Sequence, residues 1–188
     1  EMSGLQTQII TEALHAADLP AGVFNIVNGT GAVVGEALTA HPDVAKISFT
    51  GSSAVGQHLV SAGAATMKRV TLELGGKSPT VVLDDADFAA VMPLILQGGF
   101  MNSGQACVAG TRILVPRHRL AEFEQAMLDA VSRIKSGDPR EADTDIGPMV
   151  SARQWERVQG YIRLGTQEGA RLLAGGEGRP QGLGAGWF

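Results

Sequence analysis

Three groups of residues in this chain could do chemistry, and they follow one another in a set order. The first is Phe49-Thr50-Gly51-Ser52-Ser53-Ala54-Val55-Gly56. An apolar run with strand character ends here and a helical pattern begins. A helix start offers backbone N–H groups without partners and the positive end of the helix dipole, which suits a phosphate. Gly51 would let a ligand come close to the backbone, and Ser52 adds a hydroxyl donor. The segment lacks the G-x-G-x-x-G fingerprint, so an ordinary strand-to-helix turn with a serine cap stays open beside the phosphate reading.

The second group is Leu72-Glu73-Leu74-Gly75-Gly76-Lys77-Ser78. A carboxylate between two leucines at the end of an apolar strand would be desolvated, which raises its affinity for a proton and suits a general base. A glutamate on the solvent face of an edge strand is the plainer alternative. Gly76-Lys77-Ser78 invites a phosphate-loop reading, which fails because the first glycine of G-x-x-x-x-G-K-S would fall on Thr71.

The third group is Asn102-Ser103-Gly104-Gln105-Ala106-Cys107. Cys107 is the only cysteine of the chain. It follows a helical pattern and a glycine-containing loop, with Ala106 and Val108 beside it. A thiolate there could attack a carbonyl carbon. The alternative is an inert cysteine acting as a small apolar residue. No local signature of a cysteine protease accompanies it, and G-x-S-x-G is absent, so hydrolase readings find no support.

Composition narrows the classes further. Hydrophobic residues make up 44% of the 188 residues and charged residues 18%, which is a globular balance. The net charge of −4 and the absence of a Lys/Arg run argue against nucleic-acid or anionic-membrane partners. No apolar stretch reaches the ~20 residues that span a bilayer. One cysteine permits no internal disulfide and fits a reducing compartment, the cytoplasm. His15, His41, His58 and His118 are scattered without metal-binding spacing, so no metal site is expected. The chain opens at Glu1 without a methionine and stops at Trp187-Phe188, so both ends read as cuts through a longer protein.

The elements that must position these groups follow from periodicity. Helical patterns cover Ile9–Ala17, Ala32–Ala40, Ser53–Ala64, Phe88–Asn102, Arg119–Ile134 and Ala152–Glu168. Strand-like runs cover Val23–Val27, Val44–Thr50, Val70–Leu74, Ser78–Leu83 and Arg112–Pro116, with a short one over Arg171–Leu173. Asp138–Pro148 reads as a polar loop, and Asp84-Asp85-Ala86-Asp87 supplies capping chemistry for the helix after it. Alternating helices and strands predict an α/β fold with a parallel sheet. Gly75-Gly76 marks a boundary: residues 1–75 read as part of a Rossmann-like cofactor-binding domain and 76–188 as the start of a second, catalytic α/β domain.

In order and spacing the three groups resemble the core of the NAD(P)-dependent aldehyde dehydrogenase superfamily. The match rests on Phe49-Thr50-Gly51-Ser52, on Leu72-Glu73-Leu74-Gly75-Gly76-Lys77-Ser78-Pro79, and on Asn102-Ser103-Gly104-Gln105-Ala106-Cys107. Pro20 to Gly29 and Asp145-Ile146-Gly147-Pro148 also resemble family segments, and the likeness runs over essentially the whole chain.

The resemblance implies an oxidoreductase that turns an aldehyde into a carboxylic acid. Cys107 would be the nucleophile and Glu73 the base that activates water. NAD would be the cofactor, with NADP as the alternative. Gly29, Gly51, Ser52 and Val55 would hold it, with Leu74 and Gly75 at the nicotinamide end. Glu1 falls where the family has an acid beside the adenosine ribose, which favours NAD. The backbone N–H of Cys107 would be one oxyanion donor. The family's oxyanion asparagine would precede residue 1, and its Glu-x-Phe-Gly-Pro motif, oligomerisation hairpin and C-terminal strand would fall outside the chain. The chain alone is then expected to be inactive or nearly so, and its parent a homodimer or homotetramer. Two other readings remain: a coenzyme A-acylating relative, which does not need Glu73, and a non-catalytic cofactor-binding relative, which needs neither Glu73 nor Cys107.

Overall fold

The computed structural model describes residues 2–188; Glu1, expected near the cofactor ribose, lies outside the described residues. The chain divides into two compact units, Glu1–Gly75 and Gly76–Phe188. The first unit runs α1 (Gly4–Ala16), a π-helical turn at Gly31–Gly35, α2 (Glu36–Ala40), β1 (Lys46–Gly51), α3 (Ser53–Gly63) and β2 (Arg69–Leu74). The second runs β3 (Pro79–Val81), α4 (Phe88–Phe100), β4 (Arg112–Leu114), α5 (Leu120–Val131) and α6 (Ala152–Gln167).

Each unit holds a two-stranded parallel sheet whose crossover contains a helix. β1 pairs with β2 in the register Ile47↔Val70, Phe49↔Leu72, Thr50↔Glu73 and Gly51↔Leu74. β3 pairs with β4 as Pro79↔Arg112, Thr80↔Ile113 and Val81↔Leu114. Parallel neighbours need a long connection, and α3 and α4 supply it.

In β1 and β2 exposure alternates residue by residue. Ile47, Phe49, Val70, Leu72 and Leu74 share the half-buried face, as the period of two requires. α3 lies close to β2 because Gly56 has no side chain. A Cβ at Gly56 would stand 3.1 Å from Leu74 Cδ2 and 3.3 Å from Leu72 Cδ1. The Lys68 ammonium ties off the loop before β1 by donating to the carbonyls of His41 at 2.6 Å and Val44 at 2.8 Å.

The core of the second unit is Val82, Phe88, Met92, Ile95 and Phe123. Phe88 and Phe123 meet edge to face, with ring centroids 5.3 Å apart. Arg119 covers this pair. Its guanidinium lies 3.9 Å from the Phe88 ring centroid and donates to the carbonyls of Asp84 at 2.9 Å and Ala86 at 2.7 Å. The carboxylate of Asp87 caps α4 by accepting from the Ala89 N–H at 2.9 Å.

Two expected strands are absent. Val23–Val27 and Arg171–Leu173 are irregular, and Val23 and Val27 are exposed. A β-type composition makes a strand only where another strand accepts its hydrogen bonds, and neither segment has such a neighbour among the described residues. The helices keep their expected places with shifted ends: α1 starts at Gly4 rather than Ile9, and α5 is preceded by a 3₁₀ turn at Arg117–Arg119.

Candidate functional site

In the first unit the chain turns from β1 into α3 at Gly51-Ser52. Ser52 is the cap: its backbone is extended, and its hydroxyl oxygen accepts from the Val55 N–H at 3.3 Å. The Val55 amide is therefore spent on the cap. The amides of Ser53 and Ala54 sit in the first turn, where no carbonyl lies one turn back to receive them. The Ser52 hydroxyl keeps its own proton to donate. Any serine-capped helix start leaves such groups free, so they are compatible with a phosphate and equally with a plain capped turn.

The β1–β2 register brings Leu74 beside Gly51, so the turn and the Leu74-Gly75 segment are adjacent. Gly29 lies in an irregular stretch before the π-helical turn, where a Cβ would stand 2.3 Å from Val34 Cγ2. Its close backbone packing is with Val34.

Glu73 is the correction at this site. The sequence places it between two leucines, but alternation sends Leu72 and Leu74 to the half-buried face and Glu73 to the exposed one. Its cross-strand neighbour is Thr50, also exposed. The desolvation expected from the flanking leucines is not supplied within this unit.

In the second unit Cys107 is a free, exposed thiol on the loop between α4 and β4. The loop is unusual in its backbone. Asn102 (φ 52°, ψ 40°), Ser103 (φ 57°, ψ 34°) and Gly104 (φ 72°) are three successive left-handed residues. For residues with a side chain this conformation is sparsely populated, and asparagine tolerates it better than most. Asn102 and Gln105 hold the run: Asn102 Nδ2 donates to the Gln105 carbonyl at 3.4 Å, and Gln105 Nε2 donates back to the Asn102 carbonyl at 3.2 Å. A tight turn follows, closed by the Ala109 N–H to the Ala106 carbonyl at 3.1 Å, with Cys107 and Val108 at its tip. Among the described residues nothing accepts a hydrogen bond from the Cys107 N–H.

The far side of the loop is anchored at Gly110. Its N–H donates to the Gly98 carbonyl at 3.1 Å, and its carbonyl accepts from the Thr80 hydroxyl at 3.1 Å. Sequence reasoning passed over Thr80, since a threonine in a strand carries no functional signal of its own.

A cavity of about 730 Å³ opens elsewhere in this unit, between α4 and α5, lined by Met92, Leu96, Phe100, Ala126 and Ile134 among others. Cys107 does not line it. Among the described residues no cluster of His, Cys, Asp or Glu could hold a metal ion, and no helix is long and apolar enough to cross a membrane.

Each unit is a parallel α/β unit, the first with a capped strand-to-helix turn and the second with an exposed cysteine on a shaped loop. The model of the aldehyde dehydrogenase family matches residues 1–188, and the chain belongs to that family. It is 44% identical over 180 residues to a curated Staphylococcus haemolyticus protein named provisionally as an aldehyde dehydrogenase, covering 96% of this chain and 38% of that protein. Among solved structures it superposes on aldehyde dehydrogenase C of Pseudomonas syringae with a TM-score of 0.96 and 47% identity, covering 99% of this chain and 38% of that one. That relative is a cysteine-to-alanine variant in complex with NAD+ and octanal. The Mycobacterium tuberculosis aldehyde dehydrogenase in complex with NAD+ gives a TM-score of 0.92 and 44% identity, over 98% of this chain and 38% of that one. The chain thus spans about two-fifths of the length of the relatives it matches.

Proposed function

We propose that this chain carries the nucleophile and part of the cofactor site of an enzyme that oxidises an aldehyde to a carboxylic acid with NAD+. The observation that carries the reading is the exposed Cys107 thiol at the tip of a loop held at both ends, in a chain of the aldehyde dehydrogenase family. Relatives that bind NAD+, one together with octanal, support a site that takes a dinucleotide and an aldehyde at once.

NAD+, when bound, supplies the acceptor for the hydride that leaves the aldehyde carbon. The residues of the chain do the rest. The Cys107 sulfur, as thiolate, forms a bond to the aldehyde carbon, and the carbonyl oxygen takes up negative charge. The unpartnered Cys107 N–H donates to that oxygen. Loss of the hydride restores the carbonyl and leaves a thioester on Cys107. Glu73 takes a proton from water, the water oxygen bonds to the thioester carbon, and the carbon–sulfur bond breaks to release the acid and the thiolate. The Gly51-Ser52 turn holds the pyrophosphate through the Ser53 and Ala54 amides and the Ser52 hydroxyl. Leu74 and Gly75 face the nicotinamide end. Glu1 is assigned to the adenosine ribose, and Gly29 and Val55 to the cofactor's surroundings.

The unit 1–75 is read as part of the cofactor-binding domain and 76–188 as the start of the catalytic one. The parent is proposed to be a cytoplasmic homodimer or homotetramer, a compartment that suits the lone reduced cysteine. The coenzyme A-acylating alternative has less support, because the chain keeps a glutamate that such an enzyme does not need.

The test is NADH formation by the full-length protein with a panel of aldehydes. Wild type should produce NADH and free acid. Cys107→Ser should lose turnover by several orders of magnitude, about 10⁴-fold or more if it removes the nucleophile. Glu73→Gln should release about one equivalent of NADH and then stall as the thioester. Full activity in Cys107→Ser would remove the nucleophile from this reading, and acyl-coenzyme A as the product would replace the hydrolytic reading with the acylating one.

A further inference from the structure

We infer that Thr80 is a positioning residue for Cys107, acting through the Gly110 carbonyl; the inference rests on Cys107 being the nucleophile. Thr80 lies in β3, and its partly buried hydroxyl donates to the Gly110 carbonyl at 3.1 Å across 30 residues of sequence. Gly110 comes three residues after Cys107. The fit at this point is tight: a Cβ on Gly110 would stand 2.3 Å from Thr80 Oγ1, so no larger residue could occupy the position without displacing the latch. On its other side the Gly110 N–H is taken by the Gly98 carbonyl of α4 at 3.1 Å. Both polar groups of Gly110 are thereby fixed, one to a helix and one to a strand.

The turn that carries Cys107 is strung between this anchor and the left-handed run at Asn102–Gly104. The run restricts the loop where it leaves α4, and Ala109, next to the anchor, is 5% exposed. Between these points only the Ala106–Ala109 turn is left to place the sulfur. Ala106 is half-buried while Cys107 and Val108 are exposed, so side-chain packing does little to hold the tip. With its side chain exposed, the thiol follows its backbone, and one hold on that backbone is the hydroxyl of a strand residue that never touches the substrate. Nucleophilic attack needs the sulfur within a near-attack distance and angle of the carbonyl carbon, and an error of about 1 Å there costs on the order of 100-fold in rate.

The experiment compares Thr80→Val and Thr80→Ser in the full-length protein, with Cys107→Ser as the control. Valine keeps the shape and the strand preference of threonine and removes only the donor; serine keeps the donor. Thr80→Val is expected to lower kcat by about 10-fold to 100-fold with the KM for NAD+ within about twofold of wild type, and Thr80→Ser to recover most of the loss. Alkylation of Cys107 by iodoacetamide should stay within about twofold in Thr80→Val, because a small reagent meets a displaced but open thiol as readily as a positioned one. Loss of kcat together with loss of the folded-state circular dichroism spectrum would be a structural role and would overturn the proposal, as would Thr80→Val at wild-type kcat, or Thr80→Ser as impaired as Thr80→Val. If Cys107→Ser abolishes turnover while Thr80→Val does not lower it, the latch alone falls. If Cys107→Ser stays active, the nucleophile reading falls and takes the latch with it.

Discussion

At the scale of single residues, conformation can be as informative as chemistry. Among the described residues, four non-glycine residues have positive φ: Asp18, Met67, Asn102 and Ser103. Asp18 and Asn102 are residue types that tolerate the left-handed region, but Met67 is not, and at φ 54° it ends a 3₁₀ turn with its side chain 90% exposed. Nothing packs on that side chain to offset the strain. Met67→Asn is therefore expected to stabilise the first unit by up to about 1 kcal/mol, read as a rise in the midpoint of urea unfolding at unchanged slope. A midpoint that falls would mean that the methionine makes a contact on which the fold depends. Glu73 teaches the converse. Its neighbours in sequence are leucines, yet neither is its neighbour in space, because adjacent strand residues point to opposite faces.

At the scale of elements, the polar segment after α5 is a loop built from charges. The Lys135 N–H donates to the Asp145 carboxylate at 2.8 Å, the Lys135 ammonium to Asp143 at 2.6 Å, and the Gly137 N–H to the Ile146 carbonyl at 2.9 Å. Asp138 receives the Arg140 side chain and the Arg140 N–H. The hydrogen bond from the Arg140 side chain holds the Asp138 carboxyl down, to about 2 from 3.8, and the Lys135 hydrogen bond likewise lowers Asp143. A carboxyl depressed in the folded state contributes stability above its unfolded value and loses it as pH falls through the folded one. The Asp138 contribution is thus expected whole above about pH 4 and gone below about pH 2. Because both partners are exposed, the contribution is small. An NMR titration of the Asp138 carboxyl should show the low midpoint, and Arg140→Ala should return it towards 3.8. A midpoint unmoved by Arg140→Ala would assign the depression to another cause.

At the scale of the whole molecule, apolar surface is the dominant feature. Met2, Leu5, Val23, Val27, Leu83 and Leu94 are each more than 60% exposed. No described residue of α1 is buried, although Leu5, Ile9 and Ile10 are apolar. Monomeric soluble proteins rarely leave that much apolar surface in contact with water. The 188-residue chain by itself is expected to associate with itself and to bind a hydrophobic dye, with sedimentation that depends on concentration. A single monomeric species over a tenfold range of concentration, with no dye response, would show that this surface is tolerated as it stands.

Much of this protein was legible from residue types and their spacing. Helix positions followed from periodicity, the parallel pairing from the alternation of helices and strands, the α4 cap from Asp87, and the family from the order of the Gly51-Ser52 turn, Glu73 and Cys107. These are local or ordinal features, and a linear text carries them. What needed the tertiary structure were the pairings between distant residues. Val23–Val27 and Arg171–Leu173 have strand composition but no strand beside them, and composition does not count neighbours. Leu72 and Leu74 flank Glu73 in the text and turn away from it in the sheet. The hold on the Cys107 loop depends on a threonine 30 residues from its acceptor and a glycine with no room for a side chain. No spacing announces either, because hydrogen bonds and van der Waals contacts act over a few ångströms of space, whatever the distance along the chain.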